Sequence, residues 1–321
     1  MRVKPNIALM VVIGLSQVLI AGGCKHHRRV EPQLNARDNG DNGVKIAPSD
    51  AGDGSEPALS IVDKGGDGVD LPEREEIRRV YKLQPGSRVS INGINGKIDV
   101  ETADTETAEV FIVRSARKRE DLQFRKIMID RESRELEIRV ENDRKSLFST
   151  LGSIPEGRQR VLLRLPREIE LNTHGLNGNL TVGEVDGKIK ANGVNGEINI
   201  AQATGELIFH GVNGNIEATI AKLSGEGVDL SGVNGNTTLR FIGEVNAEVE
   251  ANGMNGRVDA DFQNLEVRKN EGFGRYSARI GNGGVQIEAH GVNGNLHLGK
   301  SEKTISAATK APAKTKSATA K

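Results

Sequence analysis

Gly193-Val194-Asn195-Gly196-Glu197-Ile198-Asn199-Ile200 returns 18 residues later as Gly211-Val212-Asn213-Gly214-Asn215-Ile216-Glu217-Ala218. The shared pattern is Gly-Φ-Asn-Gly-x-Φ-x-Φ, with Φ apolar. Further copies begin at Gly93, Gly175, Gly232, Gly253 and Gly291. From Gly175 onward the starts lie 18, 18, 21, 21 and 38 residues apart. The last interval holds Gly272-Phe273-Gly274, a degraded copy without the asparagine, which divides it into 19 and 19. Seven consecutive units of 18–21 residues are therefore expected between about 168 and 299, and a period this regular marks a repeat architecture.

Each unit carries two short strand patterns. One comes after the motif, as in Asn295-Leu296-His297-Leu298; the other precedes the next, as in Lys188-Ile189-Lys190-Ala191. Both alternate apolar with polar residues, so each strand has one buried face and one wet face. Glycine and asparagine suit turn positions with positive φ. Two all-β folds accommodate these facts. Asn-Gly between alternating strands is a hairpin signal, which allows an antiparallel β meander. A meander would leave a broad apolar face that no amphipathic helix here covers. A β-solenoid of about seven turns closes its own core between two strand stacks, and it is the expected fold. At about 4.8 Å per turn the stack would be roughly 30 Å long. The asparagines Asn95, Asn177, Asn195, Asn213, Asn234, Asn255 and Asn293 would then form a column, expected as an internal amide ladder that supports the turns.

Outward from the repeats the chain changes character. Residues 73–166 hold the Gly93 copy and longer strands, with a hairpin across Asp130 to Arg134, and are expected to cap the first turn as an irregular β region. The stretch from Asn142 to Gln159 reads as a loop. Residues 24–72 are rich in Asp, Asn, Gly, Pro and Ser and cannot bury enough surface to fold, so they read as a tether. Residues 300–321 form an Ala-, Lys-, Thr- and Ser-rich basic tail. At the start, Arg2 and Lys4 precede an apolar run from Ile7 to Ile20, then Ala21-Gly22-Gly23-Cys24. This is the layout of a secretory signal peptide over residues 1–23. Its end resembles the lipobox of bacterial lipoproteins, in which the cysteine becomes the lipidated first residue. The alternatives are an uncleaved anchor or an ordinary signal peptide with a chance cysteine. Cys24 is the single cysteine, so no disulfide forms within the chain. Lys25 after Cys24, rather than aspartate, implies by the same resemblance the outer membrane.

The lipobox, the strands leading to Gly93 and the Gly-Val-Asn-Gly units together resemble the putative-adhesin family of bacterial envelope lipoproteins, related to auto-transporter adhesin head domains with Gly-Ile-Asn repeats. The resemblance covers about 73–299. It implies a β-helical body at the cell envelope and carries no catalytic residues.

Composition narrows the function classes. Lys plus Arg and Asp plus Glu are both 44, which gives no global field for a nucleic-acid partner. Aromatics are only 3%, too few to furnish the stacking platforms of a sugar-cleaving β-helix. Asp259 and Asp261 share a strand face, but the equivalent positions in other units are Asn199, Glu217, Thr238 and His297. His174, His210 and His290 all precede the first motif glycine. In a stack, His174 and His210 are two turns and roughly 10 Å apart, with Asn192 between, and His290 is expected four turns beyond His210. Zinc needs nitrogens about 2.0–2.1 Å from the metal, so no metal site is expected. His26 and His27, in the tether, lack anything to orient them. The densest positive patch is a loop of Arg114, Arg117, Lys118 and Arg119, read as solvated. No cofactor is expected.

The expected function is a non-catalytic, lipid-anchored structural or adhesive module. It reaches the membrane through Cys24 and has a cell-wall polymer, a host component or an envelope protein as partner. The alternatives are an envelope-stress or regulatory accessory protein that docks a partner, and a polysaccharide-active enzyme.

Overall fold

Two aliphatic–polar alternations separated by a glycine turn dictate two strands per repeat, and both form. The computed structural model describes residues 71–142, 157–225, 227–262, 265–270 and 274–302. The expected signal peptide, Cys24, the tether up to Asp70 and the tail beyond Glu302 lie outside the described residues. The described chain is all-β: two large mixed sheets and one short helix, with no closed barrel. None of its helices is long and apolar enough to cross a membrane.

The strand before each motif joins one sheet and the strand after it joins the other. In the first sheet β8 (Ile169–Asn177), β10 (Ile189–Asn195), β12 (Leu207–His210) and β14 (Val228–Ser231) pair in parallel at a shift of one repeat. Ile189 thus sits between Leu171 and Leu207. In the second, β9 (Leu180–Val185), β11 (Ile198–Ala203), β13 (Ile216–Ile220) and β15 (Thr237–Phe241) do the same, with Ile198 between Leu180 and Ile216. A slip of one residue would turn every aliphatic side chain to water. Instead the inward residues of both sheets share one core with Leu176, Val194, Val212 and Val233 from the motifs. Each such side chain contributes roughly 1.5–3 kcal/mol on burial.

Sequence order and spatial order part company at both ends. The seven units from Gly175 to Gly291, the degraded one among them, were expected to stack in chain order, and the structure corrects this. β20 (Val285–His290) lies between β14 and β16 (Ala247–Asn252), parallel to both. β21 (Leu296–Lys300) likewise lies between β15 and β17 (Val258–Ala260). The copies therefore stack in the order Gly93, Gly175, Gly193, Gly211, Gly232, Gly291, Gly253. The strands on either side of the degraded copy do not continue the parallel stack. β18 (Leu265–Asn270) and β19 (Arg275–Ile280) form an antiparallel hairpin against β16. Met254 N–H donates to the Gly274 carbonyl at 3.0 Å where this hairpin meets the last turn.

At the other end β2 (Ser87–Asn92) and β3 (Ile98–Ala103) carry the Gly93 copy and pair with β8 and β9. On their far side, also in parallel, lie β6 (Glu135–Asn142) and β7 (Gly157–Pro166), which come later in sequence. β1 (Glu73–Lys82) and β4 (Thr107–Ala116) extend the second sheet antiparallel. β5 (Arg125–Glu132) pairs with β6 across Asp130 to Arg134 in the first. The Arg131 guanidinium donates to the Lys82 carbonyl at 2.8 and 3.2 Å, joining the outermost strands of the two sheets.

The helix α1 (Arg119–Phe124) carries the chain from β4 to β5. Arg114 was expected in the exposed basic loop; it instead points inward from β4 and is 5% exposed. Strand alternation explains the difference, because Arg114 keeps the parity of Ile112. Its guanidinium pairs with Glu75 at 2.8 Å and donates to the carbonyls of Leu122 and Arg125. Burial lowers its pKa and Glu75 opposes that shift; arginine remains charged regardless. Arg114→Ala should leave Glu75 and two carbonyls without this partner and cost roughly 1–3 kcal/mol in urea denaturation. Lys118→Ala, on the exposed turn beside it, should stay within about 0.5 kcal/mol.

Candidate functional site

The most ordered surface feature is built by the motif itself. At its second glycine the chain passes so close to the preceding turn that a side chain has no room. A Cβ on Gly214 would lie 2.2 Å from the Gly196 carbonyl oxygen, and one on Gly196 would lie 2.3 Å from that of Gly178. With φ near +158° at both, the backbone also favours glycine.

This close passage sets the asparagines one strand spacing apart, and their side chains link. Asn177 Nδ2 donates to Asn95 Oδ1 at 2.9 Å, Asn195 to Asn177 at 3.1 Å, Asn213 to Asn195 at 3.0 Å and Asn234 to Asn213 at 3.1 Å. Asn293 donates to Asn234 and Asn255 to Asn293, both at 2.9 Å. At the near end Asn95 Nδ2 donates to the Gly157 carbonyl at 2.8 Å. Every amide points the same way, so each bond polarises the next. The ladder was expected inside the body. Six of its members are exposed and Asn95 is half-buried, so it forms an outer ridge. The apolar motif residue turns inward at these corners, and strand parity sends the asparagine outward.

A second column went unread in the sequence. Asn179, Asn215, Asn236 and Asn295 come directly after the second motif glycine. Their Oδ1 atoms accept from the backbone N–H of Glu197, Asn236, Asn295 and Arg257 on the next turn, at 3.0–3.2 Å. The signal was present as Gly-Asn at 178–179, 214–215, 235–236 and 294–295. A third column carries ion pairs: Arg88 with Glu170 at 3.1 Å, Lys188 with Glu206 at 3.0 Å and Arg279 with Glu248 at 3.1 Å. Exposed pairs of this kind contribute only about 0.2–1 kcal/mol each.

The histidines fall in one column, with a corrected order. His174 and His210 flank Asn192, as expected. His290 lies two turns from His210 rather than four, with Ser231 between, because the last copy is displaced inward. Each histidine near an acid pairs locally: His210 Nε2 with Asp229 Oδ2 at 2.6 Å, His290 with Glu288 at 3.5 Å, and His297 with Asp261 at 3.2 Å. The displacement also aligns Asp229, Glu288 and Glu250 on successive turns, a row of acids invisible in linear order. Asp259 has His297 as its register partner, with Thr238 beyond. Among the described residues, no group of three or more His, Cys, Asp or Glu could hold a metal ion. Two clefts open at the strand ends. One of about 350 Å³ is lined by Leu83, Pro85, Asp104, Pro166 and Arg167; the other, of about 220 Å³, by Leu223, Phe241, Glu244 and Val245. Arg167 bridges Asp104 and Glu184 at the first. The ridge offers fixed amide groups at a constant interval, a surface suited to non-covalent polar contact.

No family model matches the chain, and no curated protein matches it. Solved structures do resemble it. A putative cell adhesion protein from Clostridium sporogenes ATCC 15579 is 14% identical, with a TM-score of 0.34, over 71% of this chain and 100% of that one. A putative adhesin from Bacteroides fragilis NCTC 9343 is 10% identical, with a TM-score of 0.36, over 71% and 99%. One from Parabacteroides merdae ATCC 43184 is 13% identical, with a TM-score of 0.21, over 71% and 97%.

Two neighbouring substitutions separate the ladder from the close approach beneath it. Asn213→Ala strips a donor from Asn195 and an acceptor from Asn234 at an exposed position, and should cost roughly 1–2 kcal/mol. Gly214→Ala meets a carbonyl oxygen and an unfavourable φ, and should cost roughly 2–4 kcal/mol or prevent folding. Equilibrium denaturation of the two variants checks the ranking.

Proposed function

We propose that this chain is a non-catalytic, lipid-anchored protein of the bacterial cell envelope, whose repeats form a β-solenoid displayed as a structural or adhesive module. The observation that carries the reading is the unbroken amide ladder from Asn95 to Asn255. Seven turns in parallel register, sealed by a common core, make a body that holds its surface groups in fixed positions. In this reading residues 1–23 are the signal peptide, 24–72 the tether, 73–166 the cap, 167–299 the repeats and 300–321 the tail. The lipidated Cys24 anchors the chain in the outer membrane, since acyl chains contribute about 0.8 kcal/mol per buried methylene. The partner is a cell-wall polymer, a host component or an envelope protein, met by the polar ridge.

Cell fractionation tests the anchor. The wild-type protein should incorporate radiolabelled palmitate and sediment with outer membranes, whereas Cys24→Ser should do neither. Protease applied to intact cells then tests display. Degradation of the repeats supports the adhesive role; survival on intact cells with loss after lysis would remove it and leave a periplasmic structural module.

A further inference from the structure

The two ends of the asparagine ladder are chemically unlike. At six turns the N–H of the second motif glycine donates to the asparagine carbonyl of the next turn. Gly96 donates to Asn177, Gly178 to Asn195, Gly196 to Asn213, Gly214 to Asn234, Gly235 to Asn293 and Gly294 to Asn255, all at 2.9–3.1 Å. Gly256 belongs to the seventh turn, last in space. Its N–H has no acceptor among the described residues, and it alone of the seven glycines is exposed. Asn255 donates its amide to Asn293, and among the described residues no further asparagine donates to its own Oδ1.

Asparagine followed by glycine is the pair whose backbone nitrogen attacks the side-chain carbonyl most readily, because no Cβ obstructs the approach. The nitrogen must first lose its proton to solvent base, and a hydrogen bond that fixes that N–H holds it out of position. We propose that Asn255 is a site of spontaneous deamidation, the first of the seven ladder asparagines to convert. The Gly256 nitrogen bonds to Asn255 Cγ, the Cγ–Nδ2 bond breaks, and Nδ2 leaves as ammonia with protons from solvent. Water then opens the cyclic imide at either carbonyl, giving aspartate or isoaspartate. The net change is amide plus water to acid plus ammonia, with no oxidation or reduction.

The same end holds Asn252-Gly253. The N–H groups of its counterparts Gly93, Gly211, Gly232 and Gly291 donate to the next turn, and that of Gly253 finds no acceptor among the described residues. Asn252 is half-buried and ends a strand flanked on both sides, so it converts after the exposed Asn255. A carboxylate at 255 cannot donate to Asn293 Oδ1. An isoaspartate also adds a methylene to the backbone, which breaks the match that lets Asn255 N–H reach the Val292 carbonyl and Gly294 N–H reach that of Asn255. Gly294 then loses its protection, and Asn293 becomes the next ladder member to convert.

The test is peptide mapping by mass spectrometry of the full chain, held folded at mildly alkaline pH and sampled over time, beside a urea-denatured control. In the folded protein Asn255 should convert about tenfold faster than Asn177, Asn195, Asn213 or Asn234, the protection that one net hydrogen bond confers. Asn293 should convert after Asn255 with a lag, and denaturation should collapse the differences. Equal rates in the folded chain, or a laddered asparagine converting first, would overturn the proposal. In Asn255→Gln, whose longer side chain cyclises poorly, conversion of Asn293 should slow. An unchanged rate there would refute the inward spread.

Discussion

Everything in this molecule depends on how near one turn can come to the next. Parallel strands demand a spacing of about 4.8 Å, and at each corner the backbone must keep that spacing while reversing from one sheet to the other. Only a residue without Cβ fits, since a methyl on Gly178, Gly196, Gly214, Gly235 or Gly294 would meet the carbonyl oxygen of the glycine stacked against it at 2.2–2.3 Å. Once the glycines stack, the asparagine before each one is carried into register with its counterparts, and the amide ladder costs no further ordering of the backbone. The aliphatic core and the polar ridge are therefore two faces of a single constraint.

Much of this was legible in the sequence. Gly-Φ-Asn-Gly recurring at mostly 18–21 residues announces turns of similar length, and the alternation in Lys188-Ile189-Lys190-Ala191 says which side chains face in. What the residues could not tell was the order of stacking. The inner faces of β16 and β20 present Val249, Ala251, Ile287 and Ala289 to the core, and both strands lead into the same motif. Local chemistry thus makes the Gly253 and Gly291 copies interchangeable as neighbours of the Gly232 copy. A repeat period carries no information about which of the two stands nearer.

The candidate site shows the same division. The asparagine column could be read directly from position 95 to 293. The acid row of Asp229, Glu288 and Glu250 could not, because it exists only when β20 enters between β14 and β16. Arg114 was misread for a different reason. A run of positive residues suggests a wet loop, but three of the four lie past the end of β4, while Arg114 is still within it and obeys its alternation. Charge density along a sequence averages over a period of two, and so hides the one cation of the four that is buried.

The displaced last copy also explains how the stack can end. A turn at the edge exposes unpaired N–H and C=O groups, a template for unwanted pairing. The Gly291 copy, last in sequence, is not the outermost turn. Because the Gly253 copy is outermost instead, the 22 residues from 263 to 284 lie downstream of it and upstream of the final strands. They supply the Gly274 carbonyl that accepts from Met254 N–H and the Tyr276 hydroxyl that donates to the Gly256 carbonyl at 2.9 Å. At the opposite end β4 and β5 perform the same task before β6 and β7 return to pair with β2 and β3. The consequence is a folding order. Within its sheet β16 touches only β19 and β20, so the outermost turn joins the body only once β20 and β21 have taken their places. A chain made of near-identical turns acquires defined ends by threading its last strands inward, and it leaves one Asn-Gly pair at the open end of the ladder in doing so.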